Sequence, residues 1–338
     1  MIWKDLSVLI TGGTGSFGKK FTEIMLERYQ PRRLIIFSRD ELKQHEMRQI
    51  FPEDKNTAIR YFIGDVRDKD RLYRAFNDVD IVVHAAALKQ VPTAEYNPLE
   101  VIKTNILGAS NVIDAAIDCG VKRVVALSSD KAVSPVNLYG ATKLCADKLF
   151  IAAKAYTGAN GTRFSVVRYG NVIGSRGSVI PLFKEKRSTG ILPITDLRMT
   201  RFWLTLDKAV GLVIKCLEIM QGSEIFVPKI PSMRIVDLAN AIAPECRHEI
   251  IGIRPGEKLH EVLLTEDEIH NTVEFDDYYV VQMDSNQNNN RMNSKREKLD
   301  ENFKYSSDTN DWWLGTSELL DLVLLNEPIE SKEEFVFS

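Results

Sequence analysis

The sequence predicts an α/β protein, a doubly wound parallel sheet with a smaller, interleaved α/β lobe, on three observations. Short β-branched runs alternate with helix-period apolar patterns through the first half, as expected of a parallel sheet covered by helices. The first run ends in a glycine-rich turn that opens a helix. After Gly170 the alternation fades, and Pro, Gly and charged turns separate shorter elements.

Along the chain, strands are expected at 7–11, 33–37, 60–63, 81–84, 123–127 and 164–168, each rich in β-branched or aromatic residues. Helices are expected over 17–28, 71–76, 98–119 and 139–156, where apolar residues recur at the helical period. Two of them are apolar on more than one side, which fits either a self-complementary interface in a homo-oligomer or a thick core within one chain. A helix over 206–220 and a strand over 224–227 return to the first sheet. The expected division is therefore 1–170 with about 205–227 as one domain, and 171–204 with 228–283 as a second lobe. Residues 284–300 carry an amide run at 286–290 and no periodic apolar face, so 284–338 reads as a polar excursion followed by an anchor at Trp312, Trp313 and Leu314.

With 338 residues the chain can bury a substantial core, and a formal charge of −3 gives no electrostatic case for nucleic acid or an anionic membrane. Cys119, Cys145, Cys216 and Cys246 show no metal-ligand spacing, so no metal is expected and the thiols read as free in a reducing compartment. No apolar stretch is long enough to span a bilayer and no signal-peptide core is present, which together predict a cytoplasmic protein.

Thr11-Gly12-Gly13-Thr14-Gly15-Ser16-Phe17-Gly18 follows the first strand and opens the first helix. Glycines at 12, 15 and 18 suit the tight turn, the approach of backbone to a pyrophosphate and helix–strand packing, the features of a Rossmann-type dinucleotide site. About 20 residues on, where an NAD site places an acid, stand Ser38 and Arg39. A guanidinium there suits the 2′-phosphate of NADP, with Lys43 as helper, while Asp40 keeps NAD as the alternative. Asp65 and Val66 suit the adenine rim. Ala86, within the small run after His84, either contacts the cofactor or lets strand and loop pack, with Lys89 next in the loop. Asn105 sits in a helical pattern that its propensity disfavours, pointing to a hydrogen-bonding role near the site.

Tyr139 and Lys143 lie one helical turn apart, so the ammonium is expected to depress the phenol. Just upstream stand Ser128, Ser129, Asp130 and Lys131. Oxidation of a sugar carbon needs only the tyrosine–lysine pair, whereas loss of water needs an acid at the leaving hydroxyl and a base at the acidified carbon. Asp130 and Lys131 supply that surplus and predict a dehydratase. A 4-epimerase would share the fold and Tyr139 without needing them, and a cofactor-sensing regulator would be expected to lack Tyr139.

The chain resembles the extended short-chain dehydrogenase/reductases and, among them, the inverting UDP-N-acetylglucosamine 4,6-dehydratases of pseudaminic-acid biosynthesis. The resemblance runs to about residue 282. Its segments stand at 11–18, 38–44, 84–92, 130–132, 137–143, 168–172, 174–179 and 253–258, with Ser129 where threonine is usual. The Asp130-Lys131 pair is the one expected of the inverting subfamily; relatives that retain C5 configuration usually carry Asp-Glu.

The resemblance implies NADP as cofactor, UDP-N-acetylglucosamine as substrate and a dimer-based homo-oligomer, with a hexamer in view. It implies that Tyr139, helped by Lys143 and Ser129, takes the C4 hydroxyl proton, that Lys131 removes the C5 proton and that Asp130 protonates the departing C6 hydroxyl. The product would be UDP-2-acetamido-2,6-dideoxy-β-L-arabino-hex-4-ulose. A lysine has a reference pKa of ~10.4, so Lys131 is expected to be depressed. Lys89 and Asn171 are implied at the sugar, Val179 and Thr195 at the uridine, and Arg254 with Glu257 at diphosphate and ribose.

Overall fold

The computed structural model describes residues 1–158, 161–173, 179–282 and 299–325. The chain begins with β1 (Ser7–Thr11), α1 (Ser16–Ile24), β2 (Arg33–Ser38), α2 (Glu41–Ile50), β3 (Ile59–Ile63), α3 (Lys69–Phe76) and β4 (Ile81–His84). It continues through α4 (Val91–Tyr96), α5 (Pro98–Ile102), α6 (Gly108–Asp118), β5 (Arg123–Ser129), α7 (Leu138–Ala152) and β6 (Arg163–Tyr169). Next come β7 (Asn171–Val172), α8 (Val179–Arg187), β8 (Ile191–Ile194), β9 (Thr200–Leu204), α9 (Leu206–Ile219) and β10 (Glu224–Pro228). The rest is β11 (Ser232–Arg234), α10 (Ile235–Ile242), β12 (Arg247–Ile250), β13 (Val262–Leu264), α11 (Glu266–Ile269), β14 (Thr272–Glu274), β15 (Tyr278–Gln282), β16 (Tyr305–Ser306) and α12 (Thr316–Leu325).

Nine strands form one sheet in the order β14-β15-β10-β6-β5-β4-β1-β2-β3. From β10 to β3 all pairs are parallel, and the strands inside the edge strand β3 are largely buried, as a sheet covered on both faces requires. β1 and β4 are neighbours although the chain leaves β1 toward β2, so the strand order reverses between them. Ligands of open α/β sheets bind at such a switch point, beyond the carboxyl ends of the strands.

Return of the chain to the sheet through α9 and β10 matches the sequence expectation, with Ile225 opposite Val166 and Phe226 opposite Val167. The expected lobe at 228–283 is different: β15 leaves it and pairs antiparallel with β10, with Phe226 opposite Val280, and β14 pairs antiparallel with β15 at the outer edge. Val280 and Val281 are fully buried there, and covering the open edge of β10 with a paired strand is what an edge demands. A second apolar cluster holds Ile173, Phe183, Leu192, Ile194, Trp203, Leu238 and Leu319. Leu314 is buried within it, and its N–H donates to the Ser232 carbonyl at 2.9 Å.

Two helices differ from their sequence patterns. The helix expected over 98–119 is interrupted by a π-helical segment, Lys103–Leu107, between α5 and α6. Gly108 follows at a point where a Cβ would lie 2.7 Å from a Val66 methyl, so the interruption seats the helix against the loop after β3. No helix was expected between β2 and β3, yet α2 forms there, its N-terminus capped by Asp40, whose carboxylate accepts from the Lys43 N–H at 3.0 Å. Residues 284–298 of the expected polar excursion, and 174–178 of the segment at 174–179, lie outside the described residues. Among the described residues no helix is long and apolar enough to cross a membrane.

Candidate active site

Every parallel strand from β1 to β6 delivers residues singled out by the sequence at its carboxyl end: Gly12 after β1, Arg39 after β2, Asp65 after β3, Ala86 after β4, Asp130 after β5 and Asn171 after β6. Gly12 has φ 65°, and a Cβ on it would lie 2.8 Å from Ala86 Cα, directly across the switch point. At Gly18 a Cβ would meet the Gly13 carbonyl oxygen at 2.2 Å, so only glycine lets α1 start this close to the turn. Gly15 caps α1 without a side-chain bond, which leaves the N–H groups of the first turn, at Ser16, Phe17 and Gly18, facing outward without a side-chain cap. That cradle fits a dinucleotide pyrophosphate.

At the ribose end, Arg39 is half exposed, with Nη1 3.5 Å from Asp65 Oδ2, and Asp65 is held more tightly by Arg67 at 2.7 Å. The Asp40 carboxylate is committed to capping α2 and to Lys43 Nζ at 2.6 Å, contacts that hold it below the usual carboxylate range. Val66 points into the core rather than outward. Asn105 faces protein on every side: its amide donates to the Leu88 carbonyl at 2.9 Å and to Thr142 Oγ1 at 3.0 Å, and its oxygen accepts from the Leu88 N–H at 2.8 Å. Its observed task is to fasten the loop carrying Lys89 onto α7.

α7 starts at Asn137, whose side-chain oxygen accepts from the Gly140 N–H at 2.8 Å. A Cβ at Gly140 would lie 2.2 Å from the Lys131 carbonyl oxygen, so glycine allows the first turn of α7 to rest on the 3-10 turn Asp130–Ala132. Tyr139 and Lys143 are both buried on the same face of α7. Burial pushes the Tyr139 phenol up to about 12, against the opposing pull of the Lys131 ammonium and a hydrogen bond with Ser129. The sequence expectation, in which Lys143 depresses the phenol, is thus corrected: the shift is upward, and Lys131 is the ammonium acting on the ring. Lys143 donates to the Leu127 carbonyl at 2.6 Å, and burial lowers it despite Asp147 one turn further along α7.

Asp130 is fully buried. Its Oδ1 accepts from the Ser129 hydroxyl at 2.8 Å and from Lys131 Nζ at 3.1 Å, while its Oδ2 is buried without a partner. On the other side of Lys131 lies Glu261, 3.3 Å away and equally buried. Burial lowers the Lys131 ammonium, but the two carboxylates outweigh it and the net shift is upward. The expected depression of Lys131 is therefore reversed, because Glu261, 130 residues away in sequence, completes a carboxylate clamp. Arg201 Nε and Lys258 Nζ sit 3.7 and 3.9 Å from Glu261. Two amines of the group are depressed: Lys89, through burial and then repulsion from Lys131, and Lys258, through burial.

Sequence reasoning assigned no role to Glu261 or Arg201, for which no local pattern was read, nor to Lys258, although it ends the segment at 253–258. It also missed Asp147, which accepts from the Ser128 hydroxyl at 2.7 Å; its i+4 spacing from Lys143 was a usable signal. Arg254 and Glu257 share one turn, the Arg254 N–H facing Glu257 Oε2 at 3.3 Å. That turn docks on the start of α7, where Asn137 donates to the Gly256 carbonyl at 2.7 Å. Asn171 Oδ1 is buried without a partner. Val179 opens α8 and packs on the second apolar cluster, and Thr195 follows β8; among the described residues no hydrogen bond joins either to the Asp130–Lys131 group.

The chain matches the polysaccharide biosynthesis protein family over residues 8–283. An inverting UDP-N-acetylglucosamine 4,6-dehydratase of Campylobacter jejuni is 56% identical over 326 residues, 94% of this chain and 97% of the relative. A UDP-glucose 4-epimerase of Rickettsia canadensis is 43% identical over 288 residues, 83% of this chain and 84% of the relative. The solved structure of Pen from Bacillus thuringiensis superposes with a TM-score of 0.86 at 41% identity, covering 96% of this chain and 100% of the other. DesIV of Streptomyces venezuelae, a dTDP-glucose 4,6-dehydratase solved with NAD and TYD bound, shares the fold at a TM-score of 0.66 and 23% identity over 75% of this chain and 87% of its own. With its switch-point glycine cradle and the tyrosine–lysine helix beside it, the chain belongs to the polysaccharide biosynthesis family, extended short-chain dehydrogenase/reductases that include the inverting UDP-N-acetylglucosamine 4,6-dehydratases.

Proposed function

We propose that this protein converts UDP-N-acetylglucosamine to UDP-2-acetamido-2,6-dideoxy-β-L-arabino-hex-4-ulose. The observation that carries the reading is the buried Asp130 carboxylate 3.1 Å from Lys131 Nζ, immediately beside Tyr139. It sets a proton donor and a proton acceptor next to the phenol, and only loss of water calls for both. The sugar nucleotide is assigned from the similarity to the Campylobacter enzyme.

The glycine cradle fits a nicotinamide dinucleotide, which when bound accepts hydrogen from C4 and later returns it to C6. NADP is the form assigned here, because the first acid after β2, Asp40, is occupied with its own helix while Arg39 stays half exposed at the ribose end. Tyr139 takes the C4 hydroxyl proton, with Ser129 hydrogen-bonded to it and Lys143 on the same helix face. The new carbonyl acidifies C5; Lys131 removes that proton and Asp130 protonates the C6 oxygen as it leaves. Lys89 and Asn171 bind the sugar, Val179 and Thr195 the uridine, and Arg254 with Glu257 the diphosphate and ribose.

We further assign the product to the pseudaminic-acid route and the chain to a cytoplasmic homo-oligomer. Large apolar side chains exposed between α4 and α6, Tyr96 at 87% and Leu99 at 67%, support self-association.

Incubation with UDP-N-acetylglucosamine is expected to give a product lighter by one water, with the L-configured ring by NMR. The second reading, a UDP-sugar 4-epimerase, is favoured by the Rickettsia relative. A product of unchanged mass inverted only at C4 would establish it and overturn the first.

A further inference from the structure

Resting on that reading, a difficulty in the geometry leads further: the base must be a neutral amine and the acid a protonated carboxyl, yet the structure holds Lys131 as an ammonium against two carboxylates. We propose that Glu261 is a positioning residue that fixes Lys131 Nζ against Asp130, so that one proton passing between them arms base and acid together.

The step balances. An N–H bond of the ammonium breaks and an O–H bond forms on Asp130 Oδ1, 3.1 Å away, turning a charge pair into an amine and a carboxylic acid. The amine then takes the C5 proton and the acid gives its proton to the leaving C6 oxygen. Both groups thereby return to the charged resting pair. Exclusion of water by the sugar nucleotide favours the neutral pair, since separated charges lose their solvation there.

Asp130 rather than Glu261 receives the proton because of their surroundings. Glu261 is ion-paired to two further cations, Arg201 and Lys258. Among the described residues Asp130 Oδ1 accepts from the Ser129 hydroxyl and Lys131, and its Oδ2 has no hydrogen-bond partner. Glu261 is also fixed in place: its N–H donates to Ser307 Oγ at 2.9 Å, and its carbonyl accepts from the Ser307 N–H at 2.8 Å. The charged and titratable groups facing Lys131 are therefore Asp130 on its own turn, Glu261 before β13, Arg201 on β9, Lys258 in the preceding loop, Lys89 after β4 and Tyr139 on α7.

Glu261→Gln keeps the shape and removes the charge. With one carboxylate fewer the shared proton leaves at lower pH, so the alkaline limb of the dehydration rate is expected to move acidward by about one unit or more, a tenfold loss at fixed pH on that limb. The ratio of dehydration to cofactor reduction should fall with it, and Glu261→Asp, which keeps the charge, should restore the parent profile. A second readout needs no sugar: in 15N-lysine-labelled protein the Nζ signal absent from Lys131→Arg should lose its proton at lower pH in Glu261→Gln than in the parent. Identical Nζ titrations, or an unmoved alkaline limb in Glu261→Gln, would overturn the proposal. A parent protein that leaves UDP-N-acetylglucosamine at its starting mass overturns instead the functional reading, while the Nζ titration still judges the hold of Glu261 on Lys131.

Discussion

The proposed mechanism assigns the reaction to three side chains, Tyr139, Asp130 and Lys131, and single substitutions separate them. On that assignment Tyr139→Phe removes the proton acceptor for C4, so substrate should bind without any rise in reduced-nicotinamide absorbance. Asp130→Asn should still show cofactor reduction, with water loss slowed by roughly 10²–10⁴-fold, the usual contribution of a positioned acid. If both variants stop before reduction, the division is wrong. Lys131→Ala should lose dehydration and the exchange of C5 hydrogen for solvent deuterium while keeping partial reduction; exchange at the parent rate would identify another base. Arg39→Ala should weaken NADP by about 10–100-fold, the worth of a charged hydrogen bond, and NAD far less. Equal losses in equilibrium binding of the two would remove Arg39 as the discriminator.

Single elements carry much of what could be read without the fold. The glycine turn into α1 and the Tyr139–Lys143 spacing on α7 are local patterns, and both appear where they were expected. α2 went unread because its apolar periodicity is weak, although Asp40 as N-cap was a signal. β4 ends in His84, buried between a 2.8 Å contact of Nδ1 with Thr11 Oγ1 and the Phe150 ring. Burial, with Lys143 nearby, lowers its pKa to about 3. The unfolded chain binds a proton there below ~6.5 and the folded chain does not until about 3. Stability should thus fall as pH drops through that window, by ~1.4 kcal/mol per unit from this ring. His84→Gln, whatever its overall stability, should flatten the acid dependence of urea-unfolding free energy by one proton; an unchanged slope would contradict it.

Across the molecule, Arg168 on β6 ties the large sheet to β13 and to α11 after it. Its Nη1 donates to the Leu263 carbonyl at 3.1 Å and to Glu268 at 3.0 Å, and its Nη2 lies 4.0 Å from Asp147. Removing it leaves the buried Asp147 without its guanidinium and Glu268 without its ion pair, so Arg168→Ala should destabilise by about 3 kcal/mol or more in urea unfolding. A loss under 1 kcal/mol would show that water replaces the guanidinium. By itself the sequence determined the parallel sheet, the return through α9 and β10, the glycine turn into α1 and the adjacency of Asp130 and Lys131 to the tyrosine helix, because each is written in local runs of residues. Only the tertiary structure decided that β14 and β15 cap the sheet edge and that Asn105 fastens a loop. It also decided that Lys131 is an ammonium clamped by Glu261, for a charge responds to whatever the fold brings within a few ångströms, and no local pattern of residues records that neighbour.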